Sequence, residues 1–522
     1  QVKFTGVFIP TDRLWKSQFD NLESTFSHDT KLLEILHSSF LYHVLERLSS
    51  CVEFRASISS HKPNLFRSVI LSKKDEQELV SELCSLWNVS PRTGSLRSLE
   101  LAVIQKKQEI SDYVSTKLRQ QGHDQLEAPA VLKSPISPIL GNSVRIINKF
   151  FKEDEGKWSF LFDELELAPD SIIQPLVDSM RGGPDDVFFK LSLSPYHKGV
   201  SVTQNSSSTM KGHDSSYINL TNFKNNEGLA FAKKLCSKVF HKKGIDAKDI
   251  DRYFESSKEI DYYKEIRSLA KKDSTFSSYL SKQGISLENL EEYKESDKLP
   301  LIRKIKFIAA IRNYQIRDDG SRLGRRSPLQ TYSGFEYICK AMEFNPRMLI
   351  GIMNSLLKHA SEDGKVSISD QQKCLQENLQ SYSALLQTIP IDAETGNKKL
   401  NTILDLVEVV AEFFRSELLA ENFKAEPKGT LVFKSEKSLQ FLEPIGLALN
   451  AGALIAETTD STKVDNVLDI KSSRIRLSRV FAHKYNLLVT EKPRSIDLFD
   501  ILKSEEKQGS APVVHDLFNN LD

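Results

Sequence analysis

The chain has 522 residues, of which 39% are hydrophobic and 27% are charged, which is typical of a soluble globular protein. Its 71 lysines and arginines balance 70 aspartates and glutamates, so a globally basic nucleic-acid-binding protein is not indicated, although a local basic patch stays possible. No apolar run approaches the roughly 20 residues that span a bilayer. The length favours about two to four domains.

The spacing of cysteines and histidines indicates neither a metal site nor a disulfide framework. The cysteines are odd in number, widely scattered and include no C-x-x-C pair, and the histidines show no H-x-x-x-H spacing. We interpret the cysteines as reduced core thiols of a cytosolic protein and expect a cytoplasmic location, since no signal peptide is present. The cysteines are Cys51, Cys84, Cys236, Cys339 and Cys374.

Residues 1–225 alternate between strand and helix patterns and predict an α/β core. The first predicted strand is 2–10, VKFTGVFIP, and apolar residues at helical spacing follow from about 29 to 50. A more polar helical pattern from about 75 to 121 predicts a helical hairpin inserted at about 60–135.

Three more strands are predicted later in this core. The apolar run at 160–162 ends at Asp163, and a helix is predicted to open at Pro169, which suits a first helical turn. The next strand, Asp186–Leu193, lies at the distance that a strand–helix–strand crossover needs. A last strand is predicted at Ser216–Leu220.

The remaining residues predict a helical domain and then a mixed one. Residues 226–360 have helical patterns throughout and predict an all-α lid, whereas 361–503 have a different composition and 504–522 are expected to form a flexible tail. Helix, helix and paired strands is the element order of a winged-helix domain. The elements predicted there are helices at 401–421 and 437–450 and strands at 429–433, 474–477, 485–490 and 495–499.

Two adjacent carboxylates, Asp163 and Glu164, follow the apolar strand. Parallel strands deliver such acids to the carboxyl edge of a sheet, where α/β folds place ligands. There an aspartate can hold the water shell of Mg²⁺ and a glutamate can polarise an attacking water. The residues alone equally allow two acids that cap the next helix. Glu166 would point the same way as Glu164 if the strand continued.

Other polar residues are candidates for phosphate contacts. Ser192 and Ser194 leave the next strand where a γ-phosphate contact is expected, although a serine there is often only a loop residue. Arg181 can act in trans as an arginine finger in an oligomer, or serve its own helix dipole. The basic loop at 320–328 can touch nucleic-acid phosphate or simply be solvated.

The triplet Asn345-Pro346-Arg347 predicts the start of a helix. Asparagine is a preferred N-cap and proline a preferred first residue, which puts Arg347 in the first turn. Its guanidinium stays charged and offers a bidentate fork to phosphate. The competing interpretation is an arginine on an exposed helix face.

In this order, these motifs resemble an AAA+ ATPase of the origin-recognition, or replication-initiator, clade, and more narrowly the bacterial ATPases of that clade in antiphage-defence operons. The resemblance implies a P-loop NTPase-type parallel sheet with a helical insertion, an all-α lid and a C-terminal winged-helix-like domain. It also implies ATP and Mg²⁺ as ligands, with Asp163 as the Walker B metal-site acid, Glu164 as the catalytic glutamate and Arg347 as the sensor-2 arginine. The stretches that carry it are Trp158–Pro169, Asp186–Pro195 and Tyr332–Leu357.

The chain departs from that family in one respect. No G-x-x-x-x-G-K-[ST] phosphate loop occurs in the 522 residues, and without its backbone cradle and lysine phosphate affinity should collapse. In the family this loop precedes the strand at 2–10, so we expect it upstream of Gln1.

Three functions are therefore open. The first is an ATP-driven switch or sensor, a homo-oligomer that works beside a protein effector in antiviral defence. The second is a DNA-binding initiator, and the third is a non-catalytic scaffold that kept the fold. The residues expected to contact DNA phosphates are Arg474, Arg476, Arg479, His483, Lys484, Lys492 and Arg494.

Overall fold

The computed structural model divides the chain into two compact units, Gln1–Tyr217 and Ile218–Asp522. No helix in the described ranges is both long and apolar enough to cross a membrane. The structure describes residues 4–11, 30–58, 69–119, 132–180, 183–196, 218, 220, 225–245, 249–256, 261–291, 299–321, 331–361, 364–395, 398–457, 470–471, 473–489 and 494–507.

The first unit is built around a parallel sheet with strand order β1-β2-β3. Val7 lies opposite Phe160, and Phe160 lies opposite Phe189, so all three strands end at the same edge. In chain order the elements are β1 (Thr5–Pro10), α1 (Thr30–Ile58), α2 (Lys73–Trp87), α3 (Leu96–Arg119), α4 (Ile136–Phe151), β2 (Trp158–Asp163), a 3₁₀ turn (Leu165–Leu167), α5 (Asp170–Asp178) and β3 (Val187–Leu191).

Helices α1 and α4 pack on one face of this sheet. Phe40 of α1 stacks on Phe162 with ring centroids 6.1 Å apart, and the Trp158 indole N–H donates to Asn148 Oδ1 of α4 at 2.8 Å. Alternate residues point to the opposite face, as the period of a strand requires. Phe188 lies on that second face and is 49% exposed. Among the described residues, the second face of the sheet is therefore less covered than the first.

Helices α2 and α3 lie in the stretch for which an inserted hairpin is predicted, and they belong to the core of the unit. Trp87 at the end of α2 is fully buried; its indole N–H donates to Ser143 Oγ at 2.8 Å, and Tyr42 Oη donates to its carbonyl at 3.0 Å. The buried residues of α2 and α3 belong to the same apolar cluster as those of the sheet. The two helices are therefore an integral layer of the unit.

The second unit begins with helices and ends with a mixed sheet. Its elements are α6 (Asn225–His241), a 3₁₀ turn (Ile250–Tyr253), α7 (Tyr262–Lys272), α8 (Ser274–Lys282), α9 (Leu299–Gln315), α10 (Phe335–Ala341), α11 (Pro346–Leu356), α12 (Ile368–Gln387), β4 (Pro390–Thr395), β5 (Lys398–Thr402), α13 (Ile403–Leu418), β6 (Lys428–Val432), α14 (Glu436–Leu439), α15 (Leu442–Asn450), β7 (Leu454–Glu457), β8 (Arg474–Leu477), a 3₁₀ turn (Arg479–Phe481), α16 (Ala482–Tyr485), β9 (Arg494–Asp497) and α17 (Leu498–Lys507).

A buried arginine, Arg312, links the helical part of this unit to the end of α13. Arg312 of α9 donates through Nε to Asp273 Oδ2 at 3.0 Å and through Nη1 to the carbonyls of Leu418 and Ala420 at 2.9 and 2.8 Å. Because a buried guanidinium needs its donors satisfied, this arginine fixes helices α7–α9 against the C-terminal part.

The C-terminal sheet has strand order β7-β8-β6-β9, with β6 antiparallel to β8 and parallel to β9. Strands β4 and β5 form an antiparallel hairpin, which the sequence analysis did not predict. The predicted strand at 485–490 is wrong, because Tyr485 ends α16 and Asn486 adopts a left-handed backbone with φ 52°. The Leu487 N–H then donates back to the Ala482 carbonyl at 3.0 Å, a helical ending.

Some predictions concern residues that lie outside the described ranges. These include Arg181, the arginines of the basic loop, Lys492 and the tail beyond residue 507. Of the predicted strand at 216–220, only residues 218 and 220 are described.

Candidate active site

Asp163 is the last residue of β2 and lies opposite Pro10 of β1. Its Oδ1 accepts the Glu164 backbone N–H at 3.0 Å. Its carbonyl oxygen accepts both the N–H of Thr11, at 3.1 Å, and the Thr11 hydroxyl, at 2.7 Å. These hydrogen bonds fix the backbone around Asp163. The second carboxylate oxygen of Asp163, Oδ2, makes no hydrogen bond to the described residues.

Glu164 has a left-handed backbone, with φ 55° and ψ 37°. A non-glycine residue in this conformation costs on the order of 1–3 kcal/mol, and such residues cluster at functional sites. The strand ends here, so Glu166 lies in the 3₁₀ turn and not on a continuing strand as considered from the sequence. The Glu164 side chain is exposed and forms no hydrogen bond or ion pair with any described residue.

The two acids do not cap the helix that follows them. Helix α5 begins at Asp170, and its N-cap is Pro169, which makes no side-chain cap bond. Pro169 therefore lies one residue earlier than predicted. Glu164 precedes the 3₁₀ turn, also without a side-chain cap bond. Of the two interpretations that the sequence left open for these carboxylates, the capping one has no support in the described residues.

Ser192 lies beside the acids, whereas Ser194 faces its own loop. The Ser192 N–H donates to the Phe162 carbonyl at 2.9 Å, and its carbonyl accepts the Leu165 N–H at 3.3 Å. Since Phe162 pairs with Leu191, Ser192 is one register position further, next to Asp163 and on the same sheet face. The Ser194 hydroxyl instead donates to the Tyr196 carbonyl at 3.3 Å. Ser192 is the better placed of the two predicted serines.

Two residues at this edge were missed by the sequence interpretation. Thr11 directly follows the first predicted strand, which was a usable signal for a polar group at the same edge as Asp163. His43 of α1 lies with Nε2 at 3.0 Å from the Pro10 carbonyl. A hydrogen bond from His43, together with Lys107, lowers the pKa of Glu46 to about 2 against the opposing effect of burial.

Arg347 belongs to the second unit and lies in the first turn of α11, the position that the Asn-Pro-Arg triplet predicts. Asn345 caps α11, its Oδ1 accepting the N–H groups of Arg347 and Met348 at 2.9 and 3.2 Å, and Pro346 is the first helical residue. Arg347 is exposed, and its guanidinium makes no hydrogen bond or ion pair with the described residues. It is therefore available to an anion.

The residues expected to contact DNA are mostly engaged within the second unit. Arg476 forms an ion pair with Glu343, and His483 is only 4% exposed. Of the predicted set, these contacts are found: Arg474 with Thr430, Arg476 and Arg479 with Glu343, Lys484 with Glu408, and Arg494 with Glu426. Arg476 and His483 are thus unsuited to the predicted role.

Comparison with known proteins bears on this geometry. A family model described as ORC-CDC6-like matches residues 1–498. No curated protein and no solved structure matches the chain. The match includes Asp163 and Glu164 at the end of β2, Ser192 directly after β3, and helix α11 with Arg347 in its first turn.

Proposed function

The chain belongs to the ORC-CDC6-like family, which comprises AAA+ ATPases of the replication-initiator type, and from this premise we propose that it is a nucleotide-dependent switch that binds and hydrolyses ATP with Mg²⁺. One observation carries the proposal. Asp163 ends the central strand of a parallel sheet and Glu164 follows it directly. Neither carboxylate forms an ion pair with a basic side chain among the described residues, and Glu164 is held in a strained backbone conformation.

The donor set at this edge fits a magnesium–nucleotide ligand. Carboxylate oxygens are the ligands that Mg²⁺ prefers, usually through retained waters. Asp163 would hold the water shell of the ion, and Glu164 would orient and polarise the attacking water. Ser192 would donate a hydrogen bond to a phosphate oxygen. When bound, the ion supplies charge neutralisation for the phosphates.

No G-x-x-x-x-G-K-[ST] motif that could form a phosphate-binding loop occurs in the 522 residues. Arg347, exposed in the first turn of α11, is proposed as a phosphate-binding arginine that senses the nucleotide.

Glutamate-to-glutamine substitutions test the assignment. ATP turnover is measured for the 522-residue chain and, where the encoding gene specifies further residues, for that longer product, here called the extended chain. In the extended chain, Glu164→Gln should lower turnover by about 10²- to 10⁴-fold, because the group that polarises water is lost, while ATP binding persists. Glu166→Gln is the matched control, a neighbouring acid expected to leave turnover near the parent value. Normal turnover in Glu164→Gln would refute the catalytic role.

The same experiment separates an enzyme from a scaffold. An extended chain that binds no ATP and is unaffected by either substitution would be a non-catalytic protein that kept the fold. ATP binding without turnover would restrict the proposal to a switch that responds to nucleotide occupancy.

DNA binding through a winged-helix domain is the second candidate function. The element order α13, β6, α14, α15, β7, β8 is helix, strand, two helices, two strands, and β8 pairs between β7 and β6. We propose a winged-helix-like domain on this basis. Its third helix, α15, has the sequence LEPIGLALN with one acid and no base, and it is largely buried. That composition favours protein contacts over groove recognition.

Duplex DNA titrations at several salt concentrations distinguish the two uses of this domain. Phosphate contacts produce binding that weakens steeply with salt. Absence of binding at low salt would exclude the DNA-binding function and leave a protein-binding domain.

The narrower role, a homo-oligomeric ATPase that works with an effector protein in antiviral defence, is proposed from the sequence resemblance alone. Phage challenge of cells carrying the native operon tests it. Protection that is lost in Glu164→Gln would support the role, and equal plaque counts with and without the operon would refute it.

A further inference from the structure

Two helices of the second unit bring a histidine, a cysteine and a glutamate together. His359 lies in the turn after α11, and Cys374 and Glu377 are three residues apart on α12, which places them on the same helix face. One ligand atom from each side chain lies within 4.8 Å of the other two. We propose that His359, Cys374 and Glu377 bind a zinc-type divalent cation.

The chemistry of the three side chains favours zinc over calcium or magnesium. Thiolate sulfur, imidazole nitrogen and carboxylate oxygen are the usual zinc ligands, whereas the hard cations take oxygen ligands almost alone. Zinc–ligand bonds of about 2.0–2.3 Å put tetrahedral ligands about 3.5 Å apart. The present cluster, whose ligand atoms lie within 4.8 Å of one another, would contract towards that spacing on binding, and a water would be the fourth ligand.

The surroundings of Cys374 fit a bound thiolate. Its side chain is buried, and the Ser355 hydroxyl from the last turn of α11 donates to Sγ at 3.6 Å. Such a hydrogen bond to a metal-bound sulfur orients and tunes the ligand. His359 is half-buried and Glu377 is exposed, so the ion has a route from solvent.

Binding should release a proton from the thiol. Burial raises the pKa of Cys374, and nearby Glu377 and Asp370 raise it further, against the hydrogen bond from Ser355 and the charge of Lys373. The ion would tie the end of α11 to α12.

The test uses the full 522-residue chain after chelator treatment. Titration with Co²⁺, a spectroscopic substitute for zinc, should produce a thiolate-to-cobalt charge-transfer band that added Zn²⁺ abolishes. Cys374→Ser should lose this band. Glu377→Gln and His359→Ala should weaken Co²⁺ affinity by at least about tenfold, as even outer-shell changes do at metal sites.

Matched controls use the other two buried cysteines of this unit, Cys236 and Cys339. Cys236→Ser and Cys339→Ser should keep the band. Zn²⁺ should also raise the unfolding temperature of the parent chain and not that of Cys374→Ser, since a ligand that binds only the folded state stabilises it. The proposal is overturned if the parent chain gives no band, or if the band survives Cys374→Ser. Because His359→Ala and Glu377→Gln alter partly exposed side chains, they decide the question if Cys374→Ser does not fold.

Discussion

Glu343 and Arg476 form a bidentate ion pair that joins the turn before α11 to strand β8. The two Nη atoms of Arg476 lie 2.6 and 2.7 Å from the two carboxylate oxygens, and the Arg479 N–H donates to Oε1 at 2.7 Å. Burial alone would raise the pKa of Glu343, but the Arg476 guanidinium holds it below its usual range. The pair lies just before Asn345, so it supports the helix that presents Arg347.

Removal of this carboxylate should destabilise the second unit strongly. Glu343→Ala removes both oxygens of the bidentate pair with Arg476, which is only 15% exposed, and leaves that guanidinium the longer contact with Glu457 at 3.6 Å. Breaking a buried pair from one side typically costs about 3–5 kcal/mol, and the loss is measured as the free energy of unfolding in urea. The matched control is Glu336→Ala, which removes an exposed pair with Lys340 on α10 and should cost less than about 1 kcal/mol. Equal losses for the two variants would show that the Glu343 pair contributes no more than a surface pair.

Ser192 and Ser194 should differ in their effect on ATP turnover. A hydrogen bond to a charged group is worth about 1.5–3 kcal/mol, so Ser192→Ala should slow turnover of the extended chain by about tenfold or more. Ser194→Ala should have little effect, since its hydroxyl donates to the Tyr196 carbonyl. Initial rates at saturating ATP make the comparison. The opposite ranking would assign the phosphate contact to Ser194.

A close approach between α6 and the turn before α11 makes Gly228 intolerant of a side chain. A Cβ at Gly228 would lie 2.5 Å from Cδ2 of Phe344, whose own backbone is left-handed with φ 55°. Gly228→Ala should therefore lower the unfolding free energy by about 1–3 kcal/mol through overpacking. The control is Gly351→Ala on α11, where the new methyl meets nothing within 4 Å. That change should stabilise the helix by about 0.5–1 kcal/mol, so the two variants should shift the urea midpoint in opposite directions.

Burial of His483 should make the second unit acid-sensitive. Burial, the largest cause, and the charge of Lys484 together lower its pKa from the ordinary 6.5 to about 4, against an opposing effect of the Val480 backbone. Because the folded pKa is the lower one, the unfolded chain binds the proton first as pH falls. Stability should therefore be full above pH 6.5 and decline towards pH 4, by about 3 kcal/mol from this group.

Urea unfolding at pH 7 and pH 4.5 measures that decline. His483→Leu removes the titrating group, so its unfolding free energy should change less between the two pH values than that of the parent chain. An identical pH dependence in both proteins would assign the acid sensitivity to other groups, such as the paired carboxylate of Glu343.

Sequence patterns predicted local features well where the signal lay within a few residues. The cap formed by Asn345 and the first-turn position of Pro346 follow from adjacent residues, and both are present. The β4–β5 hairpin also had a local signal, because Gly396-Asn397 joins its strands in the sequence; it was overlooked. The false strand at 485–490 is explained by Asn486, which ends a helical turn in a left-handed conformation that asparagine tolerates.

The sequence by itself therefore determined that a strand ends in Asp163 and Glu164 and that a capped helix presents Arg347, because strand ends and caps depend on neighbouring residues. Only the tertiary structure decided the partners of side chains. It turned Arg476 inward to Glu343, buried His483 and placed His359 beside Cys374. These outcomes depend on how separate elements pack against one another, which no local pattern of charge or hydrophobicity encodes.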